Sequence, residues 1–218
     1  MPLARKPRSP RTRAKPARGY HHGDLRQALV TAGLTLVEEG GADALSVREV
    51  ARRAGVSSAA PFRHFPSRLA LMTAIAEEAM RRFHAEFLRA LDAAATDDPM
   101  ARFRAIGIAY LRWAFRNPTH FQVLSDRTLF DFEGAIELRR QDQEIRAAME
   151  VAVTAAVRAG QLRSDDVRLL QLTGRGLVYG LARMQIDGHM PRWGIGEAEA
   201  ERMAEAALDL LAAGFRKQ

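Results

Sequence analysis

The chain has 218 residues, 47% hydrophobic and 27% charged, with a formal net charge of +7, a composition ordinary for a soluble globular protein of one large or two smaller domains. It contains no cysteine, which excludes a disulfide framework, thiolate catalysis and cysteine-ligated zinc. It has no run of about 18 apolar residues and no apolar signal core near its N-terminus, so a cytoplasmic protein without membrane partners is expected.

The charge is concentrated at one end. Residues 1–18 hold Arg5, Lys6, Arg8, Arg11, Arg13, Lys15 and Arg18 without an acid, and the remaining 26 basic and 26 acidic residues cancel. Pro2, Pro7, Pro10 and Pro16 oppose helix and strand, so 1–18 reads as a disordered basic tail. The tail is either a solvated segment, an artefact of the assigned start site, or an arm that follows DNA phosphates or enters a minor groove.

After His21-His22-Gly23, Asp24 supplies an N-cap or first-turn anion for a helix whose apolar face is Leu25, Ala28, Leu29, Ala32, Leu36 and Val37. The two histidines have no third ligand at a metal-site spacing, so no metal is expected. Gly40-Gly41 ends this helix, and Leu45 closes a core beneath the next two elements.

Ser46 opens the next helix with Glu49 three residues on, the spacing of a reciprocal capping box. Val47, Val50, Ala51 and Ala54 share one face, and Gly55 can take the left-handed conformation that ends the helix. Ser57 or Ser58 then starts a second short helix through Phe62, Arg63 and His64. Two short helices around a glycine turn form a helix-turn-helix, either a scaffold or a DNA reader. The short, hydrogen-bonding side chains of the second helix suit a face that enters the major groove. Pro61 is tolerable in a first helical turn but is expected to push Ala60 away from helical angles.

The segment GVSSAAPFRHFPSRLAL, Gly55 to Leu71, resembles the end of the DNA-binding domain of TetR-type (TetR/AcrR-like) transcriptional regulators, and the likeness runs from about His22 to Phe83. The resemblance implies that Ser57, Ser58 and Ala59 neighbour base edges or phosphates. It places Phe62 where a tyrosine is common, so a phenol-to-phosphate bond is missing. Arg63 and His64 then face phosphate, with a guanine edge as an alternative for Arg63, and Ser46 and Arg48 clamp the backbone from the preceding helix. The same resemblance makes the helix capped by Ser67, carrying Leu69, Leu71, Met72, Ile75, Ala76 and Met80, the link to a regulatory body. The expected divisions are the tail at 1–18, the DNA-binding domain at 19–83 and the regulatory and dimerisation domain at 84–218.

Beyond residue 84 helical segments are expected at 84–95, 99–116, 118–127, 131–159, 166–187 and 197–215. Aromatic residues gather in the first half of this body. Phe87, Phe103, Tyr110, Trp113 and Phe121, with Tyr179 from later in the chain, form either ordinary core or the wall of a small-molecule pocket, with Arg112, His120 or Gln122 as polar groups. Leu170, Gly174, Leu177 and Leu181 make a stripe in the penultimate segment, and Met203, Ala207 and Leu210 one in the last. The stripes serve intramolecular packing or a four-helix dimer contact. Gly174 to Pro191 also resembles, in part, the end of a C-terminal domain found in some TetR-type regulators and named for a Trp-His-Gly motif.

No strand pattern competes, so the fold expected is all-α: a three-helix DNA-binding domain followed by a larger helical ligand-binding and dimerisation domain. The partners expected are an operator duplex, a second copy of the chain and a small-molecule effector. No cofactor is expected, and no phosphate loop, dinucleotide fingerprint or nucleophile elbow marks an enzyme. The function expected is a ligand-responsive regulator, a repressor released from a palindromic operator. A non-specific DNA-coating protein or a small helical enzyme is the alternative.

Overall fold

The computed structural model describes residues 22–94 and 96–217. The expected basic tail at 1–18 and the pair His21-His22 as a possible metal site lie outside the described residues and side chains. Among the described residues eight α-helices occur in order: α1 His22–Gly40, α2 Val47–Arg53, α3 Arg68–Ala93, α4 Pro99–Arg116, α5 Pro118–Ser125, α6 Ile136–Arg158, α7 Val167–Ile186 and α8 Glu197–Phe215. Among the described residues the only extended pairing is one isolated bridge, Leu162 to Arg216.

Local chemistry sets several helix starts. Ser46 accepts a hydrogen bond from the Glu49 N–H and Ser67 from the Ala70 N–H, both at 3.1 Å, while Asp98 and Asp166 cap α4 and α7 in the same way. The reciprocal half of the capping box at Ser46 is absent. Arg52 takes the Glu49 carboxylate instead, at 2.9 Å and 2.5 Å, because a bidentate charge-assisted pair outcompetes a single bond to a backbone N–H.

The first two helices and the start of α3 enclose a small core. Leu29, Leu45, Val50, Leu71, Met72 and Ile75 are essentially inaccessible there, and each such side chain contributes about 1.5–3 kcal/mol relative to exposure. Gly33 lets α1 approach α3 closely, since a Cβ at that position would lie 2.8 Å from Ile75 Cδ1.

The expected boundary at 83/84 falls inside α3, a single uninterrupted helix of 26 residues. Nothing in the sequence Met80 to Ala85 breaks a helix, and Phe83, His84 and Phe87 are all buried against the body. The DNA-binding end and the body are therefore joined by a rod rather than a linker.

The body packs α3, α4, α6, α7 and α8 around one another. α8 is held on α4 by the pairs Arg104–Asp209, Arg112–Glu205 at 2.5 Å and Arg116–Glu201 at 3.5 Å, and by Leu208 filling the space over Gly107. Arg112, expected as a polar group of the pocket, is thus engaged with α8.

Candidate nucleic-acid interface and effector cavity

The turn after α2 carries the geometry of the reader. Gly55 sits at φ +68°, the Val56 N–H donates to Ala51 O at 3.0 Å and the Gly55 N–H to Arg52 O at 3.2 Å. These paired bonds are a Schellman stop, which needs an αL residue where only glycine is free of Cβ strain.

The second element of the reader is shorter than expected. In place of a helix begun by Ser57 or Ser58, residues 57–60 form turns and Pro61–Arg63 a single 3₁₀ turn. Most bonds run three residues back, Ala60 N–H to Ser57 O at 3.0 Å and His64 N–H to Pro61 O at 2.9 Å, with one α-type bond at the end, Phe65 N–H to Pro61 O at 2.8 Å. Pro61 has no N–H to give to Ser57, so the α-helical ladder loses a rung at its centre. Ala60 nevertheless keeps helical angles, φ −61° and ψ −43°, contrary to the expected effect of the following proline, because the turn on either side holds it there.

This segment faces outward. Ser57, Ser58, Ala59, Phe62 and Arg63 are exposed, as are Ser46 and Arg48 on α2, and His64 is half-buried. Phe62 stands 47% exposed, whereas Pro61 and Phe65 point into the core. A ring so placed keeps about half of its surface open.

Pairing inside the domain decides which arginines remain open. Arg53 forks onto Glu39 with both bonds at 2.7 Å, Arg52 onto Glu49, and Arg26 reaches Glu77 at 3.5 Å. The hydrogen bonds from Arg53 and Arg52 hold the Glu39 and Glu49 carboxyls below the usual carboxylate range. Arg68 is turned back onto the carbonyls of Ala42 at 2.7 Å and Leu45 at 3.1 Å. Among the described residues through Arg68, Arg48 and Arg63 alone of the six arginines have neither a carboxylate nor a carbonyl partner.

A cavity lies in the body in two lobes of about 500 Å³ and 250 Å³ that share Phe83, Tyr110, Arg127, Asp142 and Arg175. Of the pocket residues expected from sequence, Phe103 and Tyr110 line the larger lobe, and Tyr110, Trp113, Phe121 and Tyr179 the smaller. Phe87 lines neither; one turn beyond Phe83, it is 1% exposed and packed in the core. His120 and Gln122 are also absent from the wall. Burial, with Arg82 nearby, pushes the His120 imidazole below its ordinary pKa.

The polar groups that do line the cavity come from elsewhere. Arg127 lies just beyond α5 and stands 3.8 Å over the Phe132 ring, and Arg175 of α7 lies 4.5 Å over Tyr110 and 5.3 Å over Tyr179. Burial raises the Tyr110 phenol against the opposing pull of Arg175. The middles of α3, α4 and α7 and the end of α5 must come together before this wall exists.

The family model described as "Bacterial regulatory proteins, tetR family" matches residues 29–75, and that described as "Tetracyclin repressor-like, C-terminal domain" matches residues 103–211, half of the chain. The chain belongs to the TetR family.

TetR-family regulators bind DNA operators, act as dimers and are not enzymes. Similar solved structures cover nearly the whole fold. A protein of unknown function from Rhodococcus sp. RHA1 is 29% identical with a TM-score of 0.76, over 92% of this chain and 100% of that one. The TetR family transcriptional regulator PfmR from Thermus thermophilus is 22% identical with a TM-score of 0.68, over 87% and 99%. The ketosteroid transcriptional regulator KstR2 of Mycobacterium tuberculosis is 19% identical with a TM-score of 0.69, over 89% and 96%. No curated protein matches the chain. Among the described residues no helix is long and apolar enough to cross a membrane.

In this TetR-family chain the packing takes two of the four α7 residues expected at the dimer contact, Leu170 and Gly174, into the interior. Leu170 is 4% exposed, and a Cβ at Gly174 would come within 2.5 Å of Phe103 Cζ, so both face the chain's own core. Leu177 and Leu181 are half-buried against Leu208 and its neighbours. The open side of α7 carries Leu169, Leu172, Gly176 and Gly180, and that of α8 carries Met203, Leu210 and the partly covered Ala207. A turn of about 100° around α7 from Leu170 crosses from core to surface, which the even spread of apolar residues concealed.

Proposed function

We propose that this TetR-family regulator is a cytoplasmic repressor that holds an imperfectly palindromic operator as a homodimer and releases it when a small molecule fills the cavity. The observation that carries this reading is the continuity of α3. The same helix places Leu71, Met72 and Ile75 in the core of the reader and Met80 and Phe83 in the cavity wall. A ligand that displaces Phe83 moves a rod whose other end seats the reader. A ligand preferring the displaced state by a few kcal/mol shifts the population accordingly.

On the DNA side, Ser57, Ser58 and Ala59 present short groups to base edges, while Arg48, Arg63, His64 and Ser46 meet phosphates, with a guanine edge as the alternative for Arg63. Phe62 offers an apolar contact beside them. Two readers have to be held in fixed register, and the open apolar stripes of α7 and α8, with Met203, Ala207 and Leu210, supply a self-complementary surface.

Footprinting on the DNA flanking the protein's own coding region tests this. The expected result is a protected site with two half-sites about one helical turn apart, lost when the effector is present. Uniform protection of any duplex, or none, overturns it.

A further inference from the structure

The geometry points to an organic anion, a carboxylate on an apolar body, as the ligand class of the cavity. This rests on the reading of that cavity as the effector site and adds the chemistry it selects.

Charge is the first argument. The walls carry four guanidiniums, Arg127, Arg146, Arg168 and Arg175, against two carboxylates, Asp142 and Glu150. Asp142 Oδ2 lies 3.0 Å from Arg146 Nη2, an ion pair without the alignment of a hydrogen bond, so Asp142 is compensated within α6. Arg127 and Arg175 have no carboxylate within salt-bridge distance among the described residues, and both line both lobes. Each guanidinium carbon stands over an aromatic ring, Arg127 over Phe132 and Arg175 over Tyr110, and the guanidinium fork suits a planar anion.

An unsatisfied donor is the second argument. Trp113 lines the smaller lobe, and its buried Nε1–H has no acceptor among the described residues. A buried polar group without a partner is uncommon and calls for one. Asp142 Oδ2 is the matching unpartnered acceptor and faces Arg146, so the excess of donors in the wall comes from the guanidiniums. The remaining surface, Phe83, Phe103, Ile106, Ile145 and Met149, is apolar, and a combined volume within the usual range of about 300–1,000 Å³ for small-molecule sites admits a medium-chain body.

The full-length protein with Trp193→Phe leaves Trp113 as its one indole, so fluorescence reports the cavity wall directly. Decanoate, 1-decanol and decylamine differ only in the head group. Decanoate is expected to bind at least about tenfold more tightly than decanol, and decylamine most weakly. Replacing both Arg127→Gln and Arg175→Gln is expected to erase the decanoate advantage and leave decanol unchanged. The paired Arg→Lys variants should restore part of it, and unchanged thermal melting shows that the exposed substitutions have not unfolded the chain. Equal binding of decanoate and decanol, preference for the amine, no binding of decanoate, or an advantage that survives the double variant overturns the inference. Adding decanoate to the footprinted DNA complex separates the two readings. Decanoate that binds but leaves DNA protected removes the release mechanism and keeps the ligand class. Release by decanol without decanoate binding does the reverse.

Discussion

The ring of Phe103 occupies the space a side chain at position 174 would need, with Phe103 Cζ 2.5 Å from an ideal Cβ on Gly174. α4 and α7 meet at this point, and both residues also line the larger lobe of the cavity. The glycine lets two helices close over a ligand-sized space while keeping the phenyl ring in its wall.

Gly174→Ala sets overpacking, about 1–3 kcal/mol, against the helix propensity gained, about 1 kcal/mol. The Phe103 ring must leave its packed position to make room, so net destabilisation is expected in thermal melts. Phe103→Leu should relieve it, giving a coupling of at least about 0.5 kcal/mol in a double-mutant cycle. Additive effects would show that the two residues do not compete for this space.

Much of the reader was legible because its signals are local. Ser46, Gly55 and Ser67 act on backbone groups within a few residues, so spacing alone reveals their roles. The collapse of the second helix to one 3₁₀ turn was not legible, because Pro61 fits a first helical turn equally well until the tertiary position of Phe65 determines the register. The cavity was half legible. Aromatic residues announce themselves by composition, but Arg127 and Arg175 stand far apart in the chain and look like surface charges until the fold brings both to Tyr110 and Phe83. On α7, Leu169 and Leu170 are chemically identical neighbours, and only packing against residues of α4, α6 and α8 assigns one to the core and leaves the other at the surface.

Leu210 is 77% exposed on α8, an apolar side chain that a second copy covers in the proposed dimer. Leu210→Glu is expected to yield a folded monomer in sedimentation analysis. Leu170→Ala should instead lower stability by about 2–5 kcal/mol. A dimer unaffected by Leu210→Glu would move the interface elsewhere.

Glu78 is nearly inaccessible yet ionised, held by Arg81 at 2.8 Å and 2.9 Å and Arg82 at 2.7 Å. Burial alone raises its carboxyl, and the two arginine hydrogen bonds outweigh this, leaving it below the ordinary value. Because the folded value lies below the unfolded one, Glu78 adds stability above about pH 4.3 and loses it as the pH falls through the folded value. Glu78→Gln should flatten the acid limb of a stability-versus-pH curve. An acid limb of unchanged slope would assign the loss to other carboxylates.

The central claim is that the exposed turn after Gly55 reads DNA through side chains the domain leaves unpaired, and Arg63 tests it most directly. Operator affinity per folded dimer, measured for Arg63→Ala on the footprinted duplex, should fall by about 1–3 kcal/mol with the melting temperature unchanged. Affinity equal to wild type, or a loss that only tracks unfolding, would contradict it.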